Sequence, residues 1–223
     1  MNFLDDCRNG NINKIKHMSL YIIKYYCDSD LGFSLACTYG HYDIIKYLCE
    51  LYKMGDYIII NIHAENEHGF QNVCYHGHIN IVKYLCELYK TGDYNTINIH
   101  AKDENGFIWA CFHGHINIVK YLCELYKTGD YNIINIHAKD ENGFIWACGK
   151  GHINIIRYLC ELYKTGDYNI INIHAKDENG FIWACGKGHY DIILYLMTLY
   201  KKHQYKCINN YHIIFKKIDK YVL

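Results

Sequence analysis

Apolar positions along the chain follow two alternating patterns, which together predict pairs of short helices. In the segment "INIVKYLCELYK" (116–127), Val119, Leu122 and Leu125 fall on one helical stripe. The segment "FIWACFH" lies just before it, covers about two helical turns and ends at Gly114, which suits the left-handed position after a helix. The stretch "TINIHAKDENG" alternates apolar and polar residues, so it predicts an extended, hairpin-forming arm between helix pairs.

Turn and capping residues set the expected bounds of these helices. The Asp and Asn of "DENG", with the dihedral freedom of Gly106, predict a turn before the first helix of each pair. The second helix is expected to start two residues after each Gly-His dipeptide, where an Asn or Asp can act as N-cap. The expected N-caps are Asn13, Asp43, Asn80, Asn117, Asn154 and Asp191.

The Gly-His dipeptide reveals an internal repeat. It recurs every 37 residues from Gly40 to Gly188, and Gly10 marks a shorter unit before them. Two short helices and a hairpin cannot bury their own apolar face, whereas stacked units bury a continuous core. The pattern therefore predicts an all-α solenoid of helix-turn-helix units in a single domain, 1–223. Its six units are expected at about 1–28, 29–65, 66–102, 103–139, 140–176 and 177–203, with a C-terminal capping helix at 204–223.

The segments "AC..GHINIVKYLC" (Ala110 to Cys123) and "AKDENG" (Ala138 to Gly143) resemble the ankyrin repeat family. The chain lacks that family's Thr-Pro-Leu-His, places His137 where the hairpin Asn usually stands, and has a period of 37 rather than about 33. The resemblance implies an ankyrin-like solenoid with projecting β-hairpin loops, in which the Gly-His histidines hydrogen-bond the loop of a neighbouring unit. With no Pro and abundant Ile, Asn, Lys and Tyr, the chain is similar to the ankyrin arrays of giant DNA viruses that infect amoebae.

By this resemblance the chain is expected to be a non-catalytic scaffold that binds another protein, a host protein if the chain is viral. The expected binding surfaces are the concave face and the hairpin tips, which a rigid array presents with little loss of entropy. An alternative is a structural or virion-associated array without a specific partner. A ubiquitin-ligase adaptor is a weaker alternative, because the segment 204–223 is too short for an F-box-like domain.

Charge and hydropathy indicate which classes of partner and which cellular location to expect. The 23 Lys and Arg residues match the 23 Asp and Glu residues, so no net charge draws the chain to nucleic acid or to an anionic membrane. No apolar run approaches the ~18 residues of a membrane span, and "MNFLDDCRNG" lacks the features of a signal peptide. We expect a monomer in the cytoplasm, the host cytoplasm if the chain is viral.

Residues that could carry chemistry occur in several copies, whereas an enzyme generally needs one asymmetric site. We therefore expect no catalytic activity and no cofactor. A pair such as Cys111 and His115 offers two zinc ligands, but structural zinc takes four and the next unit lies ~10 Å away, so we expect no metal site. Ten of the twelve cysteines fall at two repeat positions and are expected to pack in the core as small apolar groups.

The near-identical units that start at Asp103 and Asp140 differ at five of 37 positions, and two of these are the adjacent residues before Gly-His. Across the units this pair changes from aromatic residues in the N-terminal half to Gly-Lys in the C-terminal half. By the resemblance this pair faces the concave groove, where aromatic rings supply buried area and lysines attract acidic groups. Drift at exposed positions without a function is the alternative. The candidate partner-binding residues in these pairs are Tyr39, Tyr75, His76, Phe112, His113, Lys150 and Lys187.

Two further sets of repeated residues leave their role open. The acids Asp103, Glu104, Asp140 and Glu141 are expected to form an exposed edge, either a solvated rim or a candidate surface for partners. Trp109, Trp146 and Trp183 recur at the repeat period and either pack between repeats or anchor a partner. The repeated histidines also raise the hypothesis that stability depends on pH.

Overall fold

A computed structural model describes residues 2–27, 31–51 and 60–201. Within these ranges the chain forms α-helices and short 3-10 turns, and no β-strand. The helices are α1 (Phe3–Asn9), α2 (Ile12–Lys16), α3 (Leu20–Cys27), α4 (Leu31–Tyr39), α5 (Tyr42–Glu50), α6 (Ala64–His76), α7 (Ile79–Glu87), α8 (Ala101–His113), α9 (Ile116–Glu124), α10 (Ala138–Lys150), α11 (Ile153–Glu161), α12 (Ala175–Lys187) and α13 (Tyr190–Lys201). The 3-10 turns are Leu88–Thr91, Leu125–Thr128 and Leu162–Thr165.

The predicted all-helical fold is confirmed for the described residues. The projecting β-hairpins are not confirmed, because the segments that lead into α8, α10 and α12 have no regular structure before a short turn. The number of repeat units and their bounds stay predictions, and the expected capping helix at 204–223 lies outside the described residues.

The helices group into two compact units. The first comprises the described residues up to Gly106 together with Tyr121–Ile133, and the second comprises Phe107–Lys120 together with the described residues from Ile134 on. In the first unit α4 packs against α1 and α6, and in the second α10 packs against α11 and α12. We call α4, α6, α8, α10 and α12 first helices, and α5, α7, α9, α11 and α13 second helices.

Each first helix from α6 onward opens with three consecutive residues in the left-handed region. In α8 these residues are Lys102, Asp103 and Glu104, with φ of 52°, 59° and 64°. A turn therefore lies where "DENG" predicts one, but Gly106 is not among the residues with positive φ. The expectation that the dihedral freedom of Gly106 makes this turn is wrong.

The glycine of "DENG" is needed for close packing between successive first helices. A Cβ on Gly106 would lie 3.0 Å from Cε1 of Phe70 and 3.3 Å from Sγ of Cys74. In the second unit a Cβ on Gly143 would lie 2.9 Å from Cε1 of Phe107. The phenylalanine of one first helix thus packs directly on the glycine of the next, and both residues recur at the repeat period.

The glycine that ends each first helix has the predicted left-handed conformation, with φ between 71° and 84° from Gly40 to Gly188, and Gly10 ends α1 in the same conformation. The predicted start of the second helices is wrong by two residues. In α5, α7 and α11 the His of Gly-His is the N-cap, without a side-chain capping bond. The expected N-cap residues are instead the second residues of their helices: Asn13, Asp43, Asn80, Asn117, Asn154 and Asp191.

The cysteines at the two repeat positions lie in the core, as predicted. Nine of them are buried and Cys185 is half-buried. Burial raises the pKa of the Cys86 thiol to about 12 and holds the pKa of Cys37, Cys74 and Cys148 well above its usual range. Because the thiolate is the reactive form, these groups act as small apolar side chains.

Candidate binding surface

The histidine of Gly-His connects successive repeats at His41, His78, His152 and His189. Its Nε2–H donates to a backbone carbonyl of the preceding repeat, at 3.1 Å from His78 to Thr38 in the first unit. The equivalent distance in the second unit is 3.0 Å from His152 to Phe112. This confirms the role that the family resemblance implies for these residues. The accepting carbonyls belong to the variable pair before Gly-His, so the next repeat fixes the backbone of that pair.

The side chains of the variable pairs remain accessible although their backbone is fixed. Tyr39 is 52% exposed, and His76, Lys150 and Lys187 are also exposed. Tyr75, Phe112 and His113 are half-buried. Each of these candidates therefore offers surface at the end of a first helix.

Aromatic side chains connect the first helices of the second unit. The ring centroids of Phe112 and Trp146 lie 5.0 Å apart, and those of Trp146 and Trp183 lie 4.8 Å apart, with the rings edge to face. Trp109 packs on Phe112 at 5.6 Å within α8. Edge-to-face pairs stabilise beyond their buried area, so Trp146 and Trp183 do pack between repeats. Trp109, Trp146 and Trp183 are nevertheless only half-buried.

A cavity of about 430 Å³ opens between α10 and α12, next to these rings. Trp146, Ile182 and Trp183 supply its apolar lining. Lys150 and Lys187 lie at its edge, and both are exposed. This is the place where the tryptophans and the lysines of the variable pairs come together.

The acidic edge is only partly where the sequence predicts it. Asp103 and Asp140 are exposed, but Glu104 and Glu141 are only 4% exposed. The assignment of Glu104 and Glu141 to an exposed partner-binding edge is therefore wrong. Their side chains point into the fold because each forms hydrogen bonds there.

The buried glutamate can accept hydrogen bonds that connect one repeat to the next, as Glu141 and Glu67 do. Oε1 of Glu141 lies 2.8 Å from Nδ1 of His137 and accepts the backbone N–H of Asn172 at 3.0 Å. In the first unit, Glu67 does the same with His63 and the N–H of Asn98, at 2.8 and 3.0 Å. We call this arrangement the His–Glu–Asn link. The sequence signal that could have shown it is the His-x3-Glu spacing, which recurs with the period of 37.

One group of residues in the first unit has the composition of a hydrolytic triad. Oγ of Ser34 lies 3.1 Å from Nδ1 of His68, and Oε2 of Glu65 lies 3.8 Å from the same nitrogen. A relay needs the hydroxyl and the carboxylate on opposite ring nitrogens. Because both groups approach Nδ1, the arrangement connects α4 and α6 by a hydrogen bond and does not form a triad.

The described part of the chain contains no group of three or more His, Cys, Asp or Glu side chains that could hold a metal ion. In the same residues, no helix is both long enough and apolar enough to cross a membrane.

Comparison with known families supports an ankyrin repeat protein. The model of ankyrin repeats, in three copies, matches residues 33–135, which is a little less than half of the 223 residues. The helical architecture fits an ankyrin solenoid, and ankyrin repeats are generally non-catalytic modules that mediate protein–protein interaction. No curated protein matches the chain.

Proposed function

We propose that this protein is a non-catalytic scaffold that binds another protein through the variable pairs at the ends of its first helices. The observation that carries the proposal is the His-to-carbonyl bond. It fixes the backbone of a pair, as at Thr38 and Phe112, while the side chains differ between repeats and stay accessible. The proposed binding residues are Tyr39, Tyr75, His76, Phe112, His113, Lys150 and Lys187, with Asp103 and Asp140 at the rim.

A fixed backbone favours binding because association costs free energy when loops and side chains become ordered. The N-terminal pairs present aromatic rings, of which Tyr39 is half exposed, and such rings are favoured at the centres of interfaces. The C-terminal pairs present Lys150 and Lys187. The proposed surface can therefore combine apolar contact with attraction of acidic groups.

The composition favours a more specific form of this proposal. The chain has no Pro and 24 Tyr, with abundant Ile, Asn and Lys, as the arrays of giant DNA viruses do. In that form the chain is a viral protein that acts as a monomer in the host cytoplasm, and its partner is a host protein. Balanced charge supports a protein partner over nucleic acid or a membrane.

A pull-down from amoebal cell lysate tests the proposal. The site variant changes Tyr39, Tyr75, His76, Phe112, His113, Lys150 and Lys187 to Ala. The matched control changes six exposed residues near the ends of the second helices to Ala: Glu87, Lys90, Glu124, Lys127, Glu161 and Lys164. All three proteins must first show equal helical content and equal melting, so that unfolding cannot explain a loss.

We expect the wild type and the control to retain the same specific proteins, and the site variant to lose them. Equal capture by all three proteins would exclude the variable pairs as the binding surface. If no protein is retained specifically, a structural array without a partner becomes the better description, and light scattering should then show self-association.

A further inference from the structure

We propose that the cavity between α10 and α12 binds an acidic segment of a partner protein, which places one large apolar side chain in the cavity against Trp146 and Trp183. Carboxylates on either side of that side chain pair with Lys150 and Lys187. This inference rests on the proposed scaffold function and specifies the chemistry of the segment that one part of its surface takes.

The cavity has room for one large side chain, and its lining is apolar. Its volume of about 430 Å³ lies near the low end of the roughly 300–1,000 Å³ of ligand pockets. Two indole rings and Ile182 line it, so the group that fills it must be apolar. Half-buried tryptophans at the edge of a cavity can bury a further ring or aliphatic chain by contact with their open faces.

Two glycines keep the cavity open. In the preceding repeat the equivalent position carries Phe112, whose ring packs against Trp146 at 5.0 Å. The corresponding residues in α10 and α12 are Gly149 and Gly186. A Cβ on Gly149 would lie 2.8 Å from Cε3 of Trp183, so this glycine is required for the packing of that ring.

Gly186 has no such structural explanation. Its φ is not positive, and a Cβ built on it would meet no atom within 4 Å. Glycine destabilises a helix relative to alanine, so the stability of α12 does not explain why residue 186 is a glycine. Its effect is to leave the cavity beside Trp183 and Ile182 open to a group from outside.

The charges at the cavity are positive and uncompensated within the described residues. No carboxylate of those residues lies within ion-pair distance of Lys150 or Lys187. Nζ of Lys150 lies 4.4 Å from the ring centroid of Phe112, a cation–π contact that holds the charge beside the apolar lining. A ligand that fills the cavity and carries carboxylates on both sides would satisfy both lysines.

The surroundings favour a peptide over a nucleic acid. Binding to a nucleic-acid backbone depends on several Lys and Arg contacts with phosphates, whereas the cavity offers two lysines in a chain of zero net charge. An acidic segment with one apolar side chain needs only the two lysines and the cavity.

Synthetic peptides test the ligand chemistry on the full-length protein. The probe has the sequence Gly-Ser-Asp-Asp-Phe-Asp-Asp-Ser-Gly, and companion peptides carry Trp, Leu or Ala at the centre. A further companion replaces the four Asp by Asn. We expect the peptides with Phe, Trp or Leu to bind in isothermal titration calorimetry and to change the indole fluorescence. The Ala and the Asn peptides should bind at least ten-fold more weakly, and added salt should weaken the acidic peptides.

Matched variants test the site itself. Gly186→Phe places a ring in the cavity and should reduce affinity at least ten-fold, whereas Gly186→Ala leaves most of the space and should keep affinity within two-fold. The double change Lys150→Glu and Lys187→Glu should abolish binding. Lys127→Glu with Lys164→Glu changes the net charge equally at a distant surface and should leave binding intact. Circular dichroism on each variant confirms that it is folded.

Several outcomes would overturn the inference. They are equal affinity of the Phe and Ala peptides, unchanged binding by Gly186→Phe, and tighter binding of a single-stranded oligonucleotide with the same charge as the peptide. If no peptide binds while the site variant still loses its partners in the pull-down, this inference fails and the scaffold function stands. If the pull-down also shows no specific partner, both fail.

Discussion

At the scale of single residues, the same side-chain type has opposite roles at neighbouring positions. Asp140 is exposed, whereas the next residue, Glu141, is buried and accepts two hydrogen bonds. The sequence shows both as repeated acids in a turn, so it predicts that both are exposed. The difference arises because the left-handed turn directs the Glu141 side chain toward His137 and toward Asn172 of the next repeat, contacts that no local pattern specifies.

Removal of Glu141 should therefore destabilise the fold. In Glu141→Ala the ring N–H of His137 and the backbone N–H of Asn172 lose their acceptor, at an expected loss of roughly 1–3 kcal/mol in the free energy of unfolding. Glu141→Gln keeps one acceptor oxygen and should lose less. Urea denaturation measures both. Glu124→Ala, at an exposed residue of α9, is the control and should change stability by less than about 0.5 kcal/mol. A similar effect of Glu141→Ala and Glu124→Ala would show that the His–Glu–Asn link contributes nothing.

His152 should make stability depend on pH. Burial lowers the pKa of His152 below its usual value of 6.5, and the bond to the Phe112 carbonyl opposes this only in part. The folded protein therefore binds fewer protons at this site than the unfolded chain, so stability rises with pH up to about 6.5 and is lost as the pH falls below it. Between pH 7.5 and 5.5, the melting temperature of His152→Gln should fall less than that of the wild type. An equal fall in both proteins would exclude His152 as the source.

At the scale of helices and turns, the sequence predicts helix pairs and their ends better than their beginnings. Gly114 and its equivalents end the first helices as expected. The residue after a helix often adopts the left-handed conformation, and glycine accepts that conformation whatever its tertiary contacts. The second helices begin earlier than Asn80 or Asn154 suggests. The preceding His is needed for the bond to another repeat, so its backbone caps the helix while its side chain does not.

The left-handed turn that opens a first helix carries a local strain, which a glycine can relieve. Asp140 has φ of 55°, and this region disfavours a non-glycine residue by roughly 1–2 kcal/mol. Asp140→Gly should raise the free energy of unfolding by up to about 1 kcal/mol, because glycine has no Cβ to clash at this φ, although its larger loss of backbone entropy on folding offsets part of the gain. Glu87 has φ of −102°, so Glu87→Gly should instead be destabilising. Thermal melting of the two variants compares their stability directly. A loss of stability in both would show that the positive φ of Asp140 does not strain the fold.

At the scale of the whole molecule, stability depends on contacts between adjacent repeats. The sequence shows that repeats stack, since both Phe and Gly recur with the period of 37. It does not show that the phenylalanine of one first helix touches the glycine of the next, because that requires the separation of the two helices. Charge balance likewise predicts a protein partner but not the cavity beside Trp183, which depends on where the rings pack.

The packing of first helices predicts that two glycine-to-alanine changes have opposite effects. A Cβ on Gly143 would lie 2.9 Å from Phe107, whereas one on Gly186 would meet no atom within 4 Å. Gly143→Ala should lower the free energy of unfolding by roughly 1–3 kcal/mol through overpacking. Gly186→Ala should raise it by up to about 1 kcal/mol through helix propensity. Denaturant titration of both variants checks the signs, and a neutral Gly143→Ala would show that the first helices can move apart freely.

The bond from each Gly-His histidine has a consequence for how such a gene can change in length. The bond from His78 to Thr38 spans 40 residues, as does the bond from His152 to Phe112, and the repeat period is 37. Deletion or duplication of one whole period brings an equivalent donor opposite an equivalent carbonyl. The bond is also compatible with the shorter first unit, because Nε2–H of His41 donates to the Arg8 carbonyl at 2.8 Å across 33 residues. Recombination between near-identical repeats can therefore lengthen or shorten the array, and so exchange one variable pair for another, while every junction keeps the bonding pattern on which the fold depends.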